Sequence, residues 1–181
     1  KGLVKVEDLR EIEIKDLLER DKVLANASLM SIKITSKVVM VTGAGGSIGS
    51  ELCRQIILLK PKIIILFEIN EFSLYKIERE LNEYELGEIE VYPILGSILN
   101  KKRVINICNT YNVETIYHSA AYKHVPLVEH NISEGVLNNI MGTLILAEVA
   151  IKSKVETFVF VSSDKAVRPT NTMGATKRVA E

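Results

Sequence analysis

Three glycines, Gly43, Gly46 and Gly49, punctuate the stretch Thr42-Gly43-Ala44-Gly45-Gly46-Ser47-Ile48-Gly49. Residues without a Cβ at that spacing let the chain turn tightly, let its backbone approach a phosphate and let a helix pack closely on a sheet. The chemistry such a turn serves is anion binding, because free amide N–H groups and the positive end of a helix dipole face the pyrophosphate of a dinucleotide. On this reading Gly43, Gly46, Ser47, Ile48 and Gly49 form a cofactor cradle. Glu68 lies 22 residues beyond Gly46, near the separation at which a strand-end carboxylate meets the adenosine ribose hydroxyls. It would repel a 2′-phosphate, and Ile69, Asn70 and Glu71 supply no cation for one. The pattern therefore predicts NAD rather than NADP. Further on, Ser163-Asp164-Lys165 sets a carboxylate beside an ammonium, and Lys177 follows. By residue type alone Asp164 and Lys165 read equally as an acid–base pair or as turn-forming charges. Lys177 reads as a functional amine or as a solvated charge beside Arg178.

Strands and helices must place these groups. The apolar run 38–41 predicts a buried strand feeding the glycine turn, and Ile48, Leu52, Ile56 and Leu59 predict a helix over 47–60 that Pro61 ends. Apolar runs at 63–67, 89–95, 115–119 and 157–162 predict four more strands. Stripes of Leu74, Ile77, Leu81 and Tyr84, of Val104, Ile107, Cys108 and Tyr111, and of Val136, Ile140, Leu144 and Val149 predict helices over 71–85, 101–111 and 132–152. Another begins near Asn171. Strands alternating with helices predict an α/β, Rossmann-like doubly wound parallel sheet, strand order 3-2-1-4-5, with the cofactor across the carboxyl ends of strands 1 and 4. Residues 36–181 make up this NAD-binding domain. Residues 1–35, with a short helical pattern over 6–20 that carries Ile12, Leu17 and Leu18, are expected to be an extension packed on it.

Composition narrows the function classes. The 181 residues carry 23 basic and 23 acidic side chains, and zero net charge gives no support for nucleic-acid or membrane-surface binding. Cys53 and Cys108 fall on apolar helical stripes, so buried free thiols and a reducing, cytoplasmic setting are expected. No run approaches the roughly 18 apolar residues of a membrane span. His118, His124 and His130 recur at intervals of six, a spacing that suits neither one helical face nor a ligand pair, so no metal site is expected. The chain starts at Lys1 and stops at Glu181 inside a helical pattern, as a piece of a longer protein would.

Fold alone does not give function, and three further segments bear on it. After strand 4 the chain reads His118-Ser119-Ala120-Ala121-Tyr122-Lys123-His124-Val125-Pro126, where small residues admit a cofactor. Asn138-Asn139-Ile140-Met141-Gly142-Thr143 lies in the next helix, and Ser162-Ser163-Asp164-Lys165-Ala166 is followed by Met173-Gly174-Ala175-Thr176-Lys177. With its glycine loop, the chain resembles the extended short-chain dehydrogenase/reductase family, and within it the nucleotide-sugar 4,6-dehydratases of bacterial polysaccharide and glycan biosynthesis. The likeness runs from about residue 7 to Glu181 and covers the cofactor half. Family members continue into further strands and a small sugar-binding domain, so the chain is expected to stop before the substrate domain. Larger members carry membrane helices upstream, which would make this the cytoplasmic domain of an anchored parent.

The resemblance implies a chemistry and roles. With NAD as cofactor and a UDP-linked N-acetylhexosamine as substrate, hydride removal at carbon 4 acidifies the carbon 5 proton. The 6-hydroxyl then leaves as water, and hydride returns to carbon 6. Asp164 would protonate the leaving hydroxyl and Lys165 would take the carbon 5 proton, its neutral form favoured by burial or a neighbouring cation. Lys177 would hold the nicotinamide ribose, Ser163 the sugar, and Asn139 would order the active-site loop. Ser97, Ile98, Ala120, Ala121 and Lys123 would complete the cofactor site. Two positions depart from the pattern. Met173 stands where the superfamily places its tyrosine base, and a thioether carries no proton; one branch of the dehydratases shares it. Ser97 stands where related proteins have an acid near the adenine. A 4-epimerase, which would need that tyrosine, and a NAD-binding module without turnover remain as alternatives. Homo-oligomers are common in the resembling family.

Overall fold

Successive side chains of a strand point to opposite faces, and in β1 (Val38–Thr42) every residue is buried. Val38 and Met40 enter one core layer with Val104, Ile107 and Cys108 of α4 (Lys101–Tyr111) and Leu146, Val149 and Ala150 of α7 (Gly142–Lys152). Val39 and Val41 enter the other, with Cys53, Ile56 and Ile57 of α2 (Ser47–Leu58) and Leu74, Ile77 and Leu81 of α3 (Glu71–Leu81). β2 (Ile63–Glu68) divides its side chains in the same way. A strand apolar on both sides can only be central, and the computed structural model, which describes residues 26–181, places β1 there. The sheet is parallel throughout, in the order β3 (Glu90–Leu95), β2, β1, β4 (Thr115–His118), β5 (Thr157–Phe160). This is the predicted 3-2-1-4-5 Rossmann-like arrangement. Pro93 lies in β3, an edge strand, where a missing ladder donor is tolerated.

The helix predicted over 6–20 lies outside the described residues. The end of the expected extension is packed. α1 (Ala27–Ile32) is capped by the Asn26 side chain, Ile34 is fully buried, and Thr115 Oγ1 donates to the Lys33 carbonyl at 2.8 Å. Cys53 and Cys108 are buried free thiols, and burial pushes Cys108 up to about 11.

Two departures bear on the site. No helix was predicted between β4 and residue 132, yet Pro126 sits at the start of a short one, α5 (Val125–His130), where its missing N–H costs nothing. The single helix predicted over 132–152 is three pieces: α6 (Ile132–Val136), a π turn (Leu137–Met141) and α7. The composite is long and apolar enough to cross a membrane by length and composition. Here its inward residues pack against the sheet.

Candidate functional site

The glycine loop leaves β1 at its carboxyl end and opens into α2. Gly43 has φ +68°, and a Cβ there would sit 2.8 Å from the Ala120 backbone; a Cβ on Gly49 would collide with the Gly43 carbonyl oxygen. Those two positions can only be glycine, and the backbone surface they leave faces a cavity of about 450 Å³. Gly43, Gly46, Ser47, Ile48 and Gly49 line one side of it; Ser119, Ala121, Tyr122 and Lys123 line another, and Leu127, Val128, Asn131 and Glu134 close it. Ser47, Ile48 and Gly49 are the first three residues of α2, so their amides have no acceptor within the helix. Lys123 Nζ reaches across to donate to Ser47 Oγ at 2.6 Å. An ammonium, a helix start and a backbone with no side chain in the way suit a diphosphate.

A smaller cleft of about 30 Å³ lies on the far side of Gly43, lined by Glu68, Ser97, Ile98 and Ala120 among others. Glu68 is 7% exposed. Its Oε2 accepts from Gly45 N at 3.0 Å, and its Oε1 from Ile69 N at 2.9 Å and Asn70 N at 3.0 Å. Ser97 Oγ accepts from Leu99 N at 3.2 Å. Ile98 is buried against Gly142, where a Cβ would meet it at 2.5 Å.

Behind the cavity runs a buried polar chain that residue patterns do not announce. His118 is fully buried between Thr42 Oγ1, 2.7 Å from Nδ1, and Thr143 Oγ1, 2.9 Å from Nε2. Thr143 gives its single proton to the Asn139 carbonyl at 2.7 Å, so toward His118 it accepts. The ring proton is thereby assigned to Nε2, and Nδ1 accepts from Thr42. Burial, with the Lys177 ammonium nearby, holds the imidazole neutral and lowers its pKa to about 3. Asn139, 1% exposed in the π turn, accepts from Tyr122 N at 2.8 Å and donates to Tyr122 O and Thr176 Oγ1, each at 3.0 Å. Its amide is thus spent on the β4 loop and on α8 (Thr172–Ala180). Thr176 Oγ1 passes its proton to the Met173 carbonyl at 2.7 Å. Among the described residues no buried side-chain nitrogen or oxygen lacks a partner.

Lys177 sits in α8 with its Nζ 4.3 Å from the centre of the Phe160 ring and donating to the Val161 carbonyl at 2.8 Å. Burial lowers its pKa to about 8. The condition expected for Lys165 is therefore met by Lys177: the Lys165 side chain is half exposed and lies 3.7 Å from Asp164, a carboxylate rather than a cation. Both belong to a single 3-10 turn (Asp164–Ala166), which Ser163 caps by accepting from Lys165 N at 3.2 Å. A Cβ on Gly174 would collide with the Lys165 carbonyl, so this turn rests against the first turn of α8, where Met173 is buried. Glu129 of α5 anchors that helix start, accepting from Thr172 N at 2.6 Å and Thr172 Oγ1 at 2.8 Å. Asp164, Lys165, Met173 and Lys177 line neither cavity. The glycine-loop, Glu68, Ser97, Ile98, Ala120, Ala121 and Lys123 candidates are gathered around Gly43, whereas Lys177, also expected at the cofactor, lies with the acid–base candidates at the end of β5. The cluster Asn138 to Thr143 was the one sequence signal for the buried chain; nothing singled out Thr42, Glu129 or Thr176.

Residues 39–181 match the family model described as polysaccharide biosynthesis protein. The chain belongs to this polysaccharide biosynthesis protein family. Within the family's reach, it is 46% identical over 180 residues to the capsular polysaccharide biosynthesis protein CapD of Staphylococcus aureus, covering 99% of this chain and 30% of CapD. It is 47% identical over 173 residues to EpsC of Bacillus subtilis (strain 168), covering 96% of this chain and 29% of EpsC. Among solved structures, Pen from Bacillus thuringiensis superposes with a TM-score of 0.74 at 34% identity, covering 82% of this chain and 45% of Pen. The chain spans less than a third of the length of these two curated relatives.

Proposed function

We propose that this chain is the NAD-binding part of a nucleotide-sugar 4,6-dehydratase that converts a UDP-N-acetylhexosamine to its 4-keto-6-deoxy form during polysaccharide biosynthesis. The observation that carries the reading is the glycine cradle, open to a cavity between the start of α2 and Lys123. The family membership supplies the polysaccharide setting. On this reading residues 36–181 are the cofactor domain and residues 1–35 an extension, acting on the cytoplasmic side, in keeping with two buried thiols.

The residues take the following parts. Ser47, Ile48 and Gly49 offer amides to the diphosphate, Lys123 offers its ammonium, and Glu68 faces the adenosine ribose. Bound NAD supplies a reversible hydride acceptor. Lys177, held by Val161 and Phe160, presents a positive charge to the nicotinamide ribose and, with a pKa of about 8, releases a proton within the working range. Asp164 protonates the departing 6-hydroxyl, and Lys165, half exposed in the chain alone and covered in turn by the bound sugar, removes the carbon 5 proton. Both side chains are at least half exposed, where a sugar can reach them, and Ser163 fixes the turn they share. Met173 is buried and carries no proton, which argues against a tyrosine-dependent 4-epimerase. The carbon 4 hydroxyl must then yield its proton to Asp164, Lys165 or a water held by Lys177.

The test is a longer form of the enzyme incubated with UDP-N-acetylglucosamine and assayed for a 4-keto-6-deoxy product. Changing Asp164→Asn or Lys165→Met should reduce turnover by roughly 10²–10⁴-fold, the usual weight of a general acid or base. Unchanged turnover would remove those residues from the mechanism. Absence of product with every UDP-hexosamine tried would leave a binding module.

A further inference from the structure

Glu68 is more committed than a ribose ligand at a strand end needs to be. A carboxylate offers about four lone-pair directions, and three are taken by the amides of Gly45, Ile69 and Asn70. One remains, on Oε2, for a ligand. The Gly45 bond spans 23 residues and ties the end of β2 to the middle of the glycine loop. Its neighbours are tied to the same place: Gly43 N and Ala44 N approach the Phe67 carbonyl at 2.8 and 3.4 Å. On the other side Gly45 is pressed against α3, where a Cβ would meet Ser73 at 2.5 Å. The first half of the loop is thus fastened to the β2–α3 corner, while the amides of Ser47, Ile48 and Gly49 are left to face the cavity.

We propose that Glu68 is a positioning residue of the phosphate cradle: by holding Gly45 it sets the path of the loop into α2, and so acts on the diphosphate through the backbone as well as on the ribose. This rests on the dinucleotide reading of the cavity. It follows that removing the carboxylate weakens binding even of a ligand that has no ribose hydroxyls.

The experiment compares ADP with 2′,3′-dideoxy-ADP, titrated into this chain and into its Glu68→Ala and Glu68→Gln variants, alongside the amide spectrum of each protein without ligand. Glu68→Ala should lose roughly tenfold in affinity for dideoxy-ADP, the weight of one charge-assisted hydrogen bond. The Gly45 amide proton should move upfield in both variants, a signature that general destabilisation would not give. Glu68→Gln keeps the side-chain volume and one acceptor oxygen, so it reports even if the alanine variant does not fold. Equal affinity of variant and wild type for dideoxy-ADP would confine Glu68 to the hydroxyls and overturn the proposal, as would an unmoved Gly45 resonance. Failure of the wild type to bind either nucleotide would instead sink the dinucleotide reading, and the Gly45 resonance would still decide whether the carboxylate anchors the loop.

Discussion

His118 should make this protein sensitive to mild acid. The fully buried ring has a folded-state pKa of about 3, against an ordinary 6.5. As pH falls through 6.5 the unfolded chain binds a proton that the folded chain refuses, so stability drops with pH at up to about 1.4 kcal/mol per unit. The neutral-ring stability is fully present well above pH 6.5 and is lost progressively down to about pH 3. Between pH 7.5 and pH 5 the loss assigned to this residue is about 2 kcal/mol, obtained by integrating that linkage. It is a large share of a net stability of about 5–15 kcal/mol. Carboxylates titrate in the same range, so the measurement is a difference: urea unfolding at a series of pH values for wild type and for His118→Asn, which keeps an acceptor toward Thr42 but has no ionisable ring. The variant will be less stable at neutral pH; the quantity to read is the slope, which should be shallower by that 2 kcal/mol across the interval. Ring resonances of His118 should also keep their neutral pattern down to pH 5. Matching slopes, or a ring that titrates near 6.5, would refute the network's proton assignment.

Asn139→Ala should cost about 2–4 kcal/mol in thermal or urea unfolding, because it strips the part-buried Tyr122 amide and carbonyl of their partner and takes one of two bonds from the buried Thr176 hydroxyl; a loss under about 0.5 kcal/mol would mean that water replaces the amide. Folding lowers the Lys177 pKa from 10.5 to about 8, so between those values only the unfolded chain holds the extra proton and wild-type stability should gain with rising pH. Lys177→Met should remove that gain in paired unfolding curves, and a gain that persists in the variant would place the shifted proton elsewhere.

The glycine cradle was legible because everything that makes it is local: a buried strand, a turn and an amphipathic helix within about twenty residues. The parallel sheet followed from short apolar strands alternating with helices, and its order from the arrangement that goes with a glycine turn after the first strand. What the sequence hid is non-local or stereochemical. His118 reads as a strand-end residue, since its partners are 76 and 25 residues away. The π turn at Leu137–Met141 is invisible to a periodicity count because Val136, Ile140, Leu144 and Val149 keep helical spacing across it, yet Val136 and Leu144 are exposed and the buried face falls on Asn139, Thr143 and Leu146. Burial of Lys177 and exposure of Lys165 could not be told apart either, since each is a lysine that follows small and polar residues. The difference is that the inner face of α8, with Met173, Thr176 and Lys177, is buried, whereas the Lys165 side chain is half exposed.

The hidden part explains why a polar chain stands where apolar packing would do. Thr42 ends β1 at the glycine loop, His118 ends β4, Thr143 links His118 to the Asn139 carbonyl, Asn139 holds the Tyr122 backbone, and Thr176 sits one residue before Lys177; each donates to or accepts from the next. Apolar side chains would fill that space but would tolerate sliding of one element on another, whereas directional bonds fix register. The π turn is the device that makes the connection. It swings Asn139 inward while its own carbonyl takes the Thr143 proton. The cradle that would hold a diphosphate and the helix that carries the low-pKa lysine are thereby set relative to one another through the core. A change at Thr143, remote from either cavity, should for that reason disturb Lys177 more than a change of equal size at exposed Leu144 beside it.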